Sequence, residues 1–164
     1  MLACAQKGPP HEQRINAASG LETGLNDFRL SDMGPDGNTS YNAFSPEVVF
    51  NPISNEYLVV WSGDDDTIPL VDNELEIFGQ SIRGNTLSKT GTNFRFSDMG
   101  PDGNVRYGAF LPAAAFNSLA NQYLVVWEGT DNTPPLVLNE FEIFGQRIAA
   151  EWLQYLPLVS RFVD

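Results

Sequence analysis

The chain contains one segment twice. Residues 28–82 return as residues 94–148 at a constant offset of 66 residues without a gap, and about two-thirds of the positions are identical. The runs SDMGPDGN, YLVVW and EIFGQ are the same in both copies. A repeat of this length is typical of a supersecondary unit that buries its apolar faces only by stacking on a copy of itself. The repeat therefore favours assembly over catalysis.

Each copy contains four short stretches with strand character, separated by Gly, Pro, Asn and Asp. We predict strands at residues 47–51, 56–61, 74–82 and 93–98 in the first copy and at residues 113–117, 122–127, 140–148 and 160–164 in the second. Both sides of the strand at residues 56–61 are apolar, which predicts that it is covered on both faces. No segment has a helical period. We therefore predict an all-β fold of two tandem four-stranded, propeller-blade-like repeats, with a β-sandwich as the alternative.

The ends of the chain contain fragments of the same unit. Gln13-Arg14-Ile15 matches Gln146-Arg147-Ile148, so the N-terminal fragment is predicted to be the last two strands of a partial repeat. We divide the chain into a flexible N-terminal segment, this partial repeat, repeat 1, and repeat 2 with an apolar tail, at residues 1–12, 13–33, 34–99 and 100–164. Closed propellers typically have four or more blades. We therefore expect blade faces and sheet edges to stay open for other copies of the chain.

The most specific part of the repeat resembles a known group of proteins. The run from Phe50 to Trp61, followed by Glu76-Ile77-Phe78-Gly79-Gln80, is similar to repeats in large, mostly uncharacterised secreted or surface proteins of bacteria. The second copy has the same signature, and the resemblance covers residues 13–148. It implies β-propeller-like blades and an extracellular or cell-surface location. It implies no activity, because a fold does not determine a function.

Charge and composition exclude several classes of partner. The chain has 21 acidic and 9 basic residues, and its net charge of −12 repels phosphate backbones, so we expect no nucleic-acid partner. The longest apolar run, near residues 152–159, is well short of the roughly 20 residues that cross a bilayer, so no membrane span is predicted. Cys4 is the only cysteine, which excludes an intrachain disulfide. Its surroundings are weakly similar to a bacterial lipidation site, with a plain terminus as the alternative.

Two acidic loops in each repeat are candidates for cation binding. Calcium takes six to eight oxygen ligands, and short loops of Asp and Asn with Gly at the bend supply them. In an antiparallel unit the SDMGPDGN loop and the loop at residues 62–73 emerge at the same end of the sheet. The candidate calcium ligands are Asp32, Asp36, Asn38, Asp98, Asp102, Asn104, Asp64, Asp66, Asp72 and Glu74. The alternatives are that these loops only form turns and that the acids only keep the surface solvated.

No constellation of catalytic residues stands out. Glu76 and Glu142 are a carboxylate pair of the kind used in glycoside hydrolysis. They occupy the same position in each repeat, however, whereas an active site normally combines dissimilar residues in one pocket. We therefore predict a structural role for them, such as pairing with an arginine of the repeat. Trp61 and Trp127 are predicted to be core residues. We predict that the protein is not an enzyme.

The C-terminal tail departs from the repeat and is apolar. It is predicted either to close the chain's own second repeat or to complete the sheet of another copy by strand addition. The candidate assembly residues are Trp152, Leu153, Tyr155, Leu156, Leu158, Val159 and Phe162. The leading hypothesis is an extracellular structural protein that assembles with itself into a ring, fibre or tube, with calcium as a stabiliser. The alternative is a calcium-dependent module that binds a glycan or another surface polymer.

Overall fold

The computed structural model describes residues 14–23 and 27–154, which form an all-β structure. The strands are β1 (Arg14–Ile15), β2 (Glu22–Thr23), β3 (Ala43–Asn51), β4 (Glu56–Gly63), β5 (Glu76–Arg83), β6 (Lys89–Arg95), β7 (Gly108–Asn117), β8 (Gln122–Thr130) and β9 (Glu142–Ala149). A short 3₁₀ helix, Ala150–Gln154, follows β9. No helix in the described part of the chain is long and apolar enough to cross a membrane.

The strands pair in chain order. β1 pairs with β2, β3 to β6 form a four-stranded sheet, and β7 to β9 form a three-stranded sheet, all antiparallel. We call the four-stranded sheet the first blade and the three-stranded sheet the second blade. The prediction of an all-β chain with two blade-like repeats is confirmed, and the sheets of the described residues do not close into a barrel or ring. The strand predicted at residues 160–164, the segment 1–12 and Cys4 lie outside the described residues.

The chain divides into two compact units, residues 1–30 and residues 31–164. In the first unit the described residues form the hairpin of β1 and β2. Its turn is closed by a 2.9 Å bond from Asn16 N–H to Leu21 O and a 2.8 Å bond from Gly20 N–H to Asn16 O. The turn between β5 and β6 has the same two bonds at Arg83, with the same lengths of 2.9 and 2.8 Å. The turn of this hairpin is therefore closed in the same way as the turn between the last two strands of the first blade.

In the second unit both blades begin with the same hairpin. Asn51 Oδ1 accepts a 2.8 Å bond from the N–H of Ile53, and Asn117 Oδ1 accepts a 3.0 Å bond from the N–H of Leu119. Asn55 and Asn121 close these turns with positive φ angles of 54° and 50°. Asn tolerates this left-handed conformation better than most residues, which explains why both turns end on Asn.

The first strand of each blade is bent by a bulge at the same position. The pairing register shifts after Phe44 in β3 and after Phe110 in β7. Ser45 and Leu111 lie within these shifts and have φ angles of 50° and 47°. An extra residue in one strand of a pair bends that strand and redirects its side chains. Ser45 in the first blade and Leu111 in the second therefore lie outside the regular ladder, at the same end of the sheet.

Each blade has two faces, which we name after residues of its second strand. The leucine face carries Leu58 in the first blade and Leu124 in the second, and the tryptophan face carries Trp61 and Trp127. The leucine face of the first blade packs on the tryptophan face of the second and forms one core. Its central members are Leu58, Val60, Ile77, Tyr123, Val125 and Trp127. The blades therefore stack with unlike faces together, as in a repeat array.

The strand at residues 56–61 is covered on both faces, as predicted. Leu58 and Val60 are fully buried on the leucine face, and Val59 and Trp61 are buried on the opposite side. The strand predicted at residues 93–98 was placed too far along the chain, because β6 ends at Arg95. After Arg95 the chain leaves the ladder and binds the end of β5 through a side chain, as described below.

Candidate functional site

Glu76 joins the first blade to the segment that leads into the second blade. Its Oε1 accepts a 2.8 Å bond from the N–H of Met99, and its Oε2 accepts a short bond from the hydroxyl of Ser97. Ser97 Oγ in turn accepts a 2.6 Å bond from the N–H of Ile77. We call the arrangement of Glu76 with Ser97 and Met99 the Glu76 clasp. It is a structural role, as predicted for this carboxylate, but its direct partners are Ser97 and Met99.

The clasp places an ionisable group in the core. Burial raises the pKa of the Glu76 carboxyl above its ordinary value, and it outweighs the bonds from Ser97 and Met99 and the charge of Arg95, which lower it. Arg95 forms its own ion pairs with Asp98 and Asp102, at 3.1 and 3.0 Å. The free energy of unfolding should therefore depend on the protonation state of Glu76.

The methionine of the clasp also covers a tryptophan. Trp127 Nε1–H donates to Met99 Sδ at 3.4 Å, and Trp61 Nε1–H donates to Met33 Sδ at 3.5 Å in the first repeat. Both tryptophans are buried, which confirms the prediction that they are core residues. Each Ser-Asp-Met segment therefore lies against the tryptophan of the blade that follows it.

Further polar bonds join the blades at the same end of the sheets. Ala109 N–H donates to Leu75 O at 2.8 Å, and the hydroxyl of Ser62 donates to Ala109 O at 2.7 Å. Gly103 N–H donates to both carboxylate oxygens of Glu74 at 3.0 Å. The contact between the blades therefore contains hydrogen bonds as well as apolar packing. Because hydrogen bonds require specific distances and angles, they fix how the two blades are aligned.

The second blade leaves its leucine face open. Leu58 and Ile77 of the first blade are 0% exposed, whereas the equivalent Leu124 and Ile143 are 49% and 73% exposed. Phe141, next to this face, is 57% exposed. Side chains with the same sequence around them thus differ in burial, and the first blade has the second blade packed on this side. An apolar face of this kind is typical of an interaction site.

The two acidic loops of each repeat meet at one rim. Gly34 N–H donates to Asp65 Oδ1 at 3.1 Å, and Gly100 N–H donates to Asp131 Oδ1 at 3.0 Å. These two bonds occupy the same repeat position and hold the SDMGPDGN loop against the loop after β4 or β8. The sequence did not single out Asp65 and Asp131 for this role. The available signal was that, in the run of three acids at residues 64–66, only Asp65 is also an acid in the second copy.

Hydrogen bonds make Asp131 more acidic. Burial by itself raises the pKa of this carboxyl, but bonds from the Thr133 hydroxyl and from the N–H groups of Asn132, Gly100 and Thr133 outweigh burial. The net effect lowers the pKa below its ordinary value. The loop contact is therefore strongest when Asp131 is ionised.

Two of the predicted calcium ligands point into the protein. Asp64 is 2% exposed, and its oxygens accept bonds from Asn42 N–H at 2.7 Å and Asn73 N–H at 3.1 Å. Glu74 is 1% exposed and accepts bonds from Val71 N–H and from the Gly103 N–H described above. Both carboxylates therefore accept hydrogen bonds from backbone N–H groups of the loops.

The other predicted ligands lie nearer the surface. Asn38 and Asn104 accept backbone N–H bonds at 3.0 and 3.2 Å. Asp98 and Asp102 pair with Arg95, and Asp32, Asp36, Asp66 and Asp72 are exposed. Among residues 14–23 and 27–154, no group of three or more His, Cys, Asp and Glu side chains is arranged to hold a metal ion. Calcium binding at this rim stays a prediction.

An open pocket of about 330 Å³ lies where the two bulges meet. Its walls are two equivalent sets of residues, Phe44, Ser45, Ser62 and Leu75 from the first repeat and Phe110, Leu111, Glu128 and Phe141 from the second. Glu128 is the ionisable residue in this lining. Its other polar side chains are those of Ser45 and Ser62.

The start of the apolar tail belongs to the chain's own core. Leu153 is buried with Ala150 against the two blades, and Trp152 lies in the same 3₁₀ helix. The remaining predicted assembly residues, Tyr155, Leu156, Leu158, Val159 and Phe162, lie outside the described residues. The tail therefore begins by covering the core of its own chain.

Comparison of the sequence with protein-family models and with curated proteins gives no match. The resemblance to bacterial surface repeats therefore stays a prediction. The feature of the described structure that most directly indicates a function is the open leucine face of the second blade.

Proposed function

We propose that this protein is a non-enzymatic structural protein that assembles with further copies of itself through its open blade faces into a ring, fibre or tube. One observation carries the proposal. The leucine face that the first blade buries completely is left open on the second blade, at Leu124 and Ile143. Burying exposed apolar area is the main driving force of protein association.

A second copy offers a surface of the right kind. Within the chain, a leucine face is covered by the tryptophan face of the next blade. On the first blade Val48 pairs with Val59 and Phe50 pairs with Tyr57, which places both on the tryptophan face. Val48 and Phe50 are 57% and 42% exposed. One copy thus presents an open leucine face, and the next presents part of an open tryptophan face.

The proposal also includes a location and a cation. The extracellular or cell-surface location rests on the resemblance to bacterial surface repeats. Calcium as a stabiliser rests on the acid content of the two rim loops. Both are separable from self-assembly, because the apolar faces need neither.

Light scattering coupled to size-exclusion chromatography tests the proposal. We expect the mass to rise with concentration from the 18.1 kDa monomer to higher multiples. Leu124→Asp should abolish this rise, because it places a charge on the leucine face. Leu119→Asp is the matched control, since Leu119 is 99% exposed in the turn between β7 and β8. A monomer at every concentration would contradict self-assembly, and a parallel series with EDTA tests the calcium part alone.

A further inference from the structure

We propose that copies join head to tail through a second version of the Glu76 clasp, in which Glu142 of one copy accepts hydrogen bonds from Ser31 and Met33 of the next. This inference rests on the proposed self-assembly and specifies its contact. It predicts which atoms meet and in which direction the copies point.

The acceptor half of this contact is present at the start of β9. β9 begins with Glu142-Ile-Phe-Gly-Gln, the same run that begins with Glu76 in β5. Glu142 pairs with Gly129 as Glu76 pairs with Gly63, so both carboxylates start from the same point of the sheet. Glu76 is 1% exposed, whereas Glu142 is exposed. The described structure therefore repeats the acceptor without the segment that covers it in the first blade.

The donor half is present at the other end of the unit. Ser31-Asp-Met33 has the same sequence as Ser97-Asp-Met99. Ser97 and Met99 are 2% and 3% exposed, whereas Ser31 and Met33 are only half-buried. Met33 already accepts the Trp61 N–H bond, as Met99 does from its own tryptophan. The Ser31–Met33 segment thus makes the same contact with a tryptophan as the segment of the Glu76 clasp.

Apolar side chains beside the two halves also match. Ala114 and Phe116 of the second blade pack against the core formed with the first blade. Their equivalents, Val48 and Phe50, are exposed on the first blade. Trp61, which lies in β4 on the same face, is already buried. The new contact therefore forms through the exposed side chains of β3.

This contact is heterologous, because the two surfaces that meet are different parts of the chain. Repetition of such a contact gives a ring if the rotation closes and a filament if it does not. It does not give a dimer with a two-fold axis, in which Glu142 would lie near its own equivalent. The direction of the contact is therefore a measurable consequence of the clasp.

Site-specific cross-linking tests the clasp in the full chain. Cys4→Ser removes the native thiol, and two proteins are then made in this background, one with Glu142→Cys and one with Ser31→Cys. A short bismaleimide cross-linker is added to each alone and to their mixture, above the concentration at which the unmodified protein assembles. The double variant Glu76→Cys with Ser97→Cys is the positive control, because it tests the same geometry within one chain.

We expect a cross-linked dimer in the mixture and little in either protein alone. As a second measurement, Glu142→Ala should raise the concentration for half-assembly about tenfold or more, since bonds to a charged group are lost. Efficient cross-linking of Glu142→Cys to itself would overturn the head-to-tail contact. Assembly without a mixed cross-link, while the positive control reacts, would overturn the clasp and leave the proposed function intact. Absence of assembly in the unmodified protein would overturn both.

Discussion

Replacing the same isoleucine in each repeat separates folding from assembly. Ile77 is 0% exposed in the core between the blades, and Ile143 is 73% exposed at the equivalent position. Truncating a fully buried Ile to Ala costs about 2–5 kcal/mol, because apolar contacts are lost and a cavity remains. We therefore expect Ile77→Ala to lower the free energy of unfolding of the monomer by roughly that amount. Ile143→Ala should change it by less than about 1 kcal/mol, as is usual for exposed side chains.

The effect on assembly should be the reverse. The three carbons that Ile143→Ala removes correspond to about 2.4 kcal/mol when fully buried, at about 0.8 kcal/mol for each group. Because most of this side chain is exposed in the monomer, burial in a contact between copies involves about 1–2 kcal/mol. The assembly constant should therefore fall about 5- to 30-fold for each contact.

Urea denaturation at low protein concentration measures the first quantity, and sedimentation velocity over a concentration series measures the second. Equal destabilisation of the monomer by both variants would refute the claim that the second leucine face is open. Unchanged assembly of Ile143→Ala would refute the claim that this face is the contact.

Three further predictions follow from single contacts. Gly100→Ala should destabilise the protein by several kcal/mol more than Gly103→Ala in thermal unfolding, because a Cβ at Gly100 would lie 2.4 Å from the Tyr107 ring and one at Gly103 meets nothing within 4 Å. Both glycines have positive φ, so equal losses would show that only backbone strain matters. The raised pKa of Glu76 means that its contribution is fully present below its ordinary pKa of 4.5 and is lost as pH rises through the folded value. The difference in unfolding free energy between the wild type and Glu76→Gln should therefore shrink as the pH rises, and a pH-independent difference would contradict it. The lowered pKa of Asp131 has the opposite sign, so its contribution is present above 3.8 and is lost as the pH falls through the folded value. Asp131→Asn should remove this loss of unfolding free energy at low pH, as measured by denaturation curves at a series of pH values. The same loss in the variant as in the wild type would count against the loop contact.

The sequence was sufficient for the parts of the fold that depend on local pattern. Alternation and turn residues located the β3–β4 and β7–β8 hairpins, and apolar residues on both sides of residues 56–61 correctly predicted a doubly covered strand. The end of β6 was placed too late because alternation continues through Phe96. In the structure, Ser97 uses its side chain to bind Glu76, which strand periodicity does not reveal.

The sequence does not predict which of the two equivalent isoleucines is buried. Ile77 and Ile143 lie in the same EIFGQ run, so their local pattern is the same while their exposure differs completely. The difference depends on whether a neighbouring blade is present, which is a property of tertiary structure. The acid content of the rim likewise did not show that Asp64 and Glu74 direct their oxygens at backbone donors.

The clasp has a consequence for how the second unit unfolds. Because Glu76 and Ile77 of the first blade depend on Ser97 and Met99, in the segment that leads into the second blade, neither blade is complete without the other. Removing the chain from Ser97 onward would expose a hydrophobic sheet and leave a desolvated carboxylate uncompensated. The two blades should therefore melt together in one cooperative transition, and a fragment that ends before Ser97 should not persist as a folded domain.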